Sequence, residues 1–390
     1  MNHRSTPAVG AALGLTLLLA ACSTDPATPG ASATTDRPHG YVEGAREARE
    51  PQLRLLAVDP DGRTTIRDLL TGDSSALDTV DAPTHAATDG RFLVTSDDDR
   101  TTITDGGAWT VDHGDHTHYY AAEPRVVGHV DRGGAIDVHS SETATTLTWP
   151  DRGEAVALDR AALGQGEVEE VLRVEASVLL PFGDRFVVGA DDTVTVLDRG
   201  GREVGDATSC SEPVGGIVTR AGAVVGCSDG AVVVDEDGAT TVPLPDGTTD
   251  RPTSFAARAG RPTVAGVAGG GGAWLLDARE HSWRHVASER PLRAVTAVDD
   301  ADGHVVAVDD TGRVVVVATA DPTSPRGRTA TTDRLVTADG PALLQVDAQR
   351  AYVADPTTGS VHEIDFADDA RVARTIELGH PVAAFAEVGR

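Results

Sequence analysis

From Leu53 onward the chain alternates short apolar runs with turn-forming residues. The clearest runs are RLLAVDPDG, RFLVTSDDD, RFVVGADD, AVVGCSDG, HVVAVDDTG and AYVADPTTG. Each is built from β-branched or small residues, and most close on Asp-Asp, Asp-Gly or Thr-Gly, the pattern of a strand ending in a turn. A second short run follows each of them, such as TVTVLD, AVVVDED, AWLLDA, RVVVVA or SVHEID. The pair reads as a hairpin. Helical periodicity is nearly absent.

The first runs begin near Arg54, Arg91, Ala135, Arg185, Ala223, Pro262, His304 and Ala351, at steps of roughly 37 to 50 residues. That spacing, with short strands throughout, predicts an all-β fold of the β-propeller class. One four-stranded sheet cannot bury both of its faces alone, and stacking such sheets in a ring does so. The repeat count gives eight blades, or seven if the irregular stretch Val126–Arg160 is one distorted blade. The first unit opens on what reads as a second strand, and Pro381 to Val388 is a spare apolar run. This C-terminal strand is expected to complete the first blade and close the ring. The propeller domain is placed at residues 51–390.

Ahead of it lies an address. Val9 to Ala21 is almost wholly apolar, follows a single basic residue, Arg4, and ends in Leu19-Ala20-Ala21-Cys22. The run is too short for a mature membrane span and matches the core of a signal peptide. The four final residues resemble a bacterial lipobox, which makes residues 1–21 a lipoprotein signal peptide and Cys22 the site of lipidation. Residues 22–50 are rich in Ser, Thr, Pro, Ala and acidic residues and read as a disordered, lipid-anchored tether. The expected location is extracytoplasmic, with the membrane touched through the lipid anchor only.

Composition then narrows the partners. The 390 residues carry 33 basic and 61 acidic side chains, a formal net charge of −28, and no lysine. Such acidity argues against a nucleic-acid partner, because that affinity comes from neutralising phosphates. Cys22 being committed to lipid, only Cys210 and Cys227 remain. In an oxidising compartment a disulfide between them is the economical reading, with two separate buried thiols as the alternative.

The chemistry concentrates in Asp112 to His118, which reads DHGDHTH and holds three of the chain's 13 histidines. His129 and His139 follow soon after. In an extended segment, positions two apart face the same side, so His116 and His118 can converge on one ion. Gly114 allows the chain to turn His113 toward them. His129, or a carboxylate such as Glu123, is placed as the closing ligand from the next strand. Zinc takes about four such ligands in a tetrahedron, and no Met or Cys nearby favours a softer metal, although imidazole also suits copper and nickel. A solvated polar loop is the alternative. His113, His116, His118 and His129 are therefore the metal candidates and Zn²⁺ the expected ligand.

The segment Gly107 to Arg125 (GAWTVDHGDHTHYYAAEPR) resembles the most distinctive stretch of the periplasmic zinc metallochaperones called AztD. The order of elements around it is similar too. Gly128-His129-Val130 follows, then the Cys pair ending in Gly226-Cys227-Ser228-Asp229-Gly230, then Ala351 to Pro356 and Val361 to Asp365. The resemblance spans most of residues 50–390, and only the His-rich stretch is specific. It implies a β-propeller that binds zinc and delivers it to the solute-binding protein of an ABC zinc importer. Family members often carry a His shortly after the first paired Cys; here Ser211-Glu212-Pro213 follows Cys210, so by that resemblance the chain either uses fewer ligands or substitutes Glu212. The tether holds only His39, where some members have a His-rich arm.

Other constellations are weak. A phosphate-binding P-loop needs a lysine, which the chain lacks, and no G-x-S-x-G is present. Asp97-Asp98-Asp99 and Asp299 to Gly303 read as turns rather than Ca²⁺ sites. His281 and His285 flank Trp283 and read as strand residues, and Trp109, Trp149 and Trp274 as blade packing. No catalytic activity is expected, and a monomer is. The alternative function is a non-metal interaction scaffold at the cell envelope, for which the His cluster would be dispensable.

Overall fold

A computed structural model describes residues 42–113, 116–248, 250–320 and 327–390. The stretch read as a signal peptide, Cys22, the stretch read as a tether as far as residue 41, and residues Gly114 and Asp115 lie outside the described residues.

The repeat seen in the sequence folds as antiparallel four-stranded sheets in simple meander order. In the second sheet His85–Thr88, Phe92–Ser96, Thr101–Asp105 and Arg125–Val130 are successive neighbours. Asp137–Ser140, Ala144–Trp149, Glu154–Asp159 and Glu170–Glu175 form the third in the same order. The pattern recurs from Val178–Phe182, Val214–Thr219, Leu292–Ala297 and Leu343–Val346. A sheet of Thr263–Val267, Ala273–Asp277 and Ser282–Val286 has three strands, and a bridge from Ala265 to Ala256 brings a fourth segment beside it. The fold is thus nearly all-β and propeller-like.

The first sheet contains the chain's C-terminal strand. Ala384–Val388 pairs antiparallel with Arg54–Val58, Val388 opposite Arg54 and Ala384 opposite Val58. Thr64–Asp68 and Ser74–Ala76 complete this sheet.

Core clusters join each sheet to the next. Leu56 and Val58 pack with Leu93, while Phe92 and Val94 pack with Leu147 and Trp149. Ala157 packs with Leu179, Val187 with Val225, Val233 with Leu276, Leu275 with Val305, and Val306 with Val353. Leu55 and Ala57 then pack with Tyr352 and Val361, so the last sheet contacts the first. Side chains alternate between the two faces of a strand, and both faces find a neighbouring sheet. That accounts for central strands such as Phe92–Ser96 and His304–Asp309 being buried at every position.

The acidity is in part turn chemistry. Asp59, Asp97, Asp198, Asp235, Asp277 and Asp347 each accept hydrogen bonds through Oδ1 from backbone N–H groups two to four residues on. These Asx turns reverse the chain between strands. Asp97 and Asp300 are used in this way, so the acidic runs read as turns are turns.

Three expectations need adjustment. The strand near Ala135 is Asp137–Ser140, and the central hairpin of that sheet is the later pair Ala144–Trp149 and Glu154–Asp159. A short α-helix, Arg160–Gln165, follows it, capped by the Asp159 side chain accepting from Ala162 N–H. Residues 46–48, placed in the tether by composition, form the strand Arg46–Ala48, so ordered structure begins before residue 51. Among the described residues, no helix is long and apolar enough to cross a membrane.

Candidate metal centre

The third and fourth strands of the second sheet are separated by an extra hairpin, Ala108–Asp112 with Thr117–Ala121. It joins no sheet of the repeat. Arg46–Ala48 pairs with its outer edge, and the three strands make a small sheet of their own.

The base of this hairpin is fixed by buried charge. Arg91 forms a fork with Asp105, Nη2 to Oδ2 at 2.7 Å, and both side chains are buried. Asp105 Oδ1 also accepts from Gly107 N–H at 2.8 Å. The Arg91 guanidinium lies 3.8 Å from the centroid of the Trp109 ring, a cation–π contact. Arg54 Nη1 donates to the carbonyls of Gly106, Gly107 and Ala122 at 3.0, 3.0 and 3.1 Å. Gly107 is required where it stands. Its φ is +65°, and a Cβ there would come within 2.5 Å of the Ala122 carbonyl oxygen.

The rest of the hairpin is held along its length. Thr110 Oγ1 donates to Gly389 O at 2.7 Å, tying it to the C-terminus. Asp112 forms an ion pair with Arg220, in the turn between the strands Val214–Thr219 and Gly222–Cys227. Trp109, Val111 and Tyr120 pack with Val42, Ala45 and Ala122.

At the tip, His113 N–H donates to His116 O at 3.0 Å, closing the turn. Val111 pairs with His118 and Asp112 with Thr117. The turn brings His113 back over His116, and strand alternation puts His118 on the side of His116. The three ring centroids are 4.9, 5.0 and 5.5 Å apart. One donor atom from each of His113, His116 and His118 lies within 4.8 Å of the others. Tetrahedral zinc with bonds of about 2.0–2.1 Å places its nitrogens roughly 3.4 Å apart. Rotation of the rings at a partly exposed tip would have to close that difference, and three imidazoles suit zinc as well as copper, iron or nickel. Among the described residues, His113, His116 and His118 could hold a metal ion.

The other candidates stand elsewhere. His129 is on the outer strand of the second sheet, opposite Thr102, with Nε2 3.6 Å from Asp131 Oδ1 and its side chain half exposed. The hairpin leaves that sheet before this strand begins, so nearness in sequence does not bring His129 into the cluster. Glu123 lies by Arg54 at the hairpin base. Glu212 pairs with Arg251 at 3.1 Å. His285 lies edge-on to Trp274, with centroids 5.0 Å apart. Trp149 and Trp274 are buried packing residues as expected, while Trp109 supports the hairpin instead. Cys210 and Cys227 form a disulfide that staples the fourth sheet's end to the fifth sheet.

Sequence reasoning missed one residue at the site. Glu47 Oε1 lies 2.8 Å from His118 Nδ1. It sits in a stretch whose composition reads as tether, so no local signal marked it.

Neither a family model nor a curated protein matches the sequence. Solved structures do match. In fold, the chain is similar to AztD. Two structures of AztD from Citrobacter koseri, one of them apo, superpose with TM-scores of 0.68 and 0.69 at 16% identity, over 87% of this chain and 98% of theirs. The resemblance to AztD drawn from the His-rich segment is therefore shown at the level of fold. A dihydro-heme d1 dehydrogenase, NirN, in complex with DHE, matches less well, with a TM-score of 0.55 at 13% identity over 88% of this chain and 76% of that one.

Proposed function

We propose that the protein is an extracytoplasmic zinc-binding metallochaperone. It binds Zn²⁺ through His113, His116 and His118 and delivers it to the solute-binding protein of an ABC zinc importer. The observation that carries this reading is the convergence of three imidazoles at the tip of a hairpin braced by Arg54 and Arg91. The AztD-like fold supports it. In this reading the body is a monomeric eight-bladed propeller, its ring closed by Ala384–Val388, and Cys22 carries the lipid anchor. It is a carrier and not an enzyme.

The chemistry of delivery follows from the site. A three-coordinate protein site leaves the fourth position to water or to an incoming ligand. A partner's histidine or carboxylate can enter there before the first donor leaves, so the ion passes without being released. Exposure of His116 at the tip makes that approach possible.

The test is transfer under competition. Zinc-loaded protein is mixed with the metal-free solute-binding protein in the presence of a chelator that captures free zinc. Movement of zinc to the acceptor faster than to the chelator is the expected result. Transfer no faster than chelator capture contradicts delivery. A stable complex with an envelope protein that is indifferent to His113, His116 and His118 favours the scaffold reading instead.

A further inference from the structure

We propose that Glu47 is a positioning residue for the metal centre: its carboxylate accepts the Nδ1 proton of His118 and so fixes the tautomer that presents Nε2 to the ion. This rests on the zinc reading of the same cluster.

The geometry is specific. The strand Arg46–Ala48 runs antiparallel to Thr117–Ala121, with Glu47 opposite Tyr120. Alternation places His118 and Tyr120 on one face of their strand, and the diagonal neighbour of Glu47 on that face is His118, within reach of a long side chain. Oε1 meets Nδ1 at 2.8 Å, a hydrogen-bond distance. Tyr120 is fully buried, stacks 6.2 Å from the His118 ring, and is backed by Trp109 at 5.3 Å. The ring is thus held from one side by a buried aromatic wall and at Nδ1 by a carboxylate.

That arrangement has a chemical consequence. A neutral imidazole carries one N–H, and whichever nitrogen donates leaves the other as the lone-pair donor. A carboxylate at Nδ1 makes Nε2 the lone-pair nitrogen. Carboxylates behind metal-binding histidines commonly have this role, and removing one typically weakens metal affinity 10- to 100-fold. The carboxylate here comes from the segment that leads back to the N-terminus, so that segment sets the strength of a site 71 residues away.

The experiment uses the protein from residue 42 onward beside Glu47→Ala and Glu47→Gln, and each in a His118→Ala background. Competitive zinc titration is expected to show a 10- to 100-fold loss for Glu47→Ala. Glu47→Gln, whose amide oxygen still accepts from Nδ1, is expected to fall between. In the His118→Ala background, Glu47→Ala is expected to add no further loss. Cobalt(II) in place of zinc is expected to keep its visible absorption bands in Glu47→Ala, since no ligand is lost. ¹⁵N chemical shifts of the metal-free protein are expected to show the Nδ1–H tautomer of His118, and a different tautomer balance in Glu47→Ala.

Unchanged zinc affinity in Glu47→Ala overturns the proposal. So does an equal loss in the His118→Ala background, which marks a structural effect of the strand. Altered cobalt bands overturn it in favour of Glu47 as a direct ligand. Absence of tight zinc in the unsubstituted protein overturns the zinc reading, while the ¹⁵N shifts still report on the Glu47–His118 contact by itself.

Discussion

Arg91 lies face-on to Trp109 at 3.8 Å while gripping Asp105, so one buried cation joins the second sheet to the hairpin that bears the histidines. Desolvating a charge is costly unless it is paired and hydrogen-bonded. Here Asp105 and two aromatic faces, Phe92 and Trp109, surround it.

Removing the cation alone strands a buried carboxylate. Arg91→Met is therefore expected to lower the unfolding free energy by about 3–5 kcal/mol. Adding Asp105→Leu is expected to cost less than the sum of the two single changes. Denaturant titration of the four proteins checks this. Additive losses would mean that the pair is not coupled.

The disulfide acts on stability and not on the metal. Cys210 and Cys227 are 17 residues apart in sequence and staple successive sheets away from the histidine tip. Replacing both with Ser is expected to cost about 3 kcal/mol, the scale for a loop of that length. Zinc affinity is expected to stay within twofold. A thermal melt and a zinc titration of the same preparation separate the two effects.

The C-terminal strand serves the fold and the hairpin together. Ala384–Val388 completes the first sheet, and Gly389 accepts from Thr110. Deleting Gly379–Arg390 exposes the edge of Arg54–Val58 and the apolar surface of Leu55 and Leu56. A large fall in thermal midpoint is expected, with weaker zinc binding at temperatures where the remainder stays folded. Unchanged stability would show that the strand is not part of the closure.

Acid sensitivity has a named source. Burial holds the His139 imidazole down at about 4, with the Asp89 carboxylate opposing. The unfolded chain has its histidine near 6.5. Between these values the unfolded state binds the proton and the folded state does not, so stability rises with pH across that window and is lost as pH falls through it. Glu387 acts in the opposite sense. Burial first, and the Asp347 carboxylate next, push its carboxyl well above the usual range, so it favours folding less as pH rises past the ordinary glutamate value. His139→Gln is expected to flatten the loss between about pH 6.5 and 4. Glu387→Gln is expected to gain stability at neutral pH relative to the native protein. Unfolding midpoints taken across pH 4–8 test both signs.

The legible part of the fold was its central hairpins. Runs such as Phe92–Ser96 and His304–Asp309 are buried on both faces and carry strong apolar signals. The strands that precede them, HAAT at His85–Thr88 and VGGIVT at Val214–Thr219, are short or glycine-containing and blend into the turns. That is why the units seemed to open one strand late. The C-terminal strand was legible because its apolar run had no partner nearby in the chain.

The histidine cluster divides along the same line. His113, His116 and His118 meet through local rules, a tight turn and strand alternation, which spacing alone expresses. His129 is expected as a closing ligand from the next strand, but the hairpin departs from its sheet and leaves it beside Asp131. Glu47 could not be read at all, since its meeting with His118 depends on a strand pairing between distant segments.

The most direct measurement is a competitive zinc titration, with metal content, of residues 42–390 and of the triple variant His113→Ala, His116→Ala, His118→Ala. One tight equivalent in the native protein, lost in the variant with the fold intact by circular dichroism, is the result predicted. No tight zinc in the native protein, or equal binding by the variant, would contradict a metal centre at the hairpin tip.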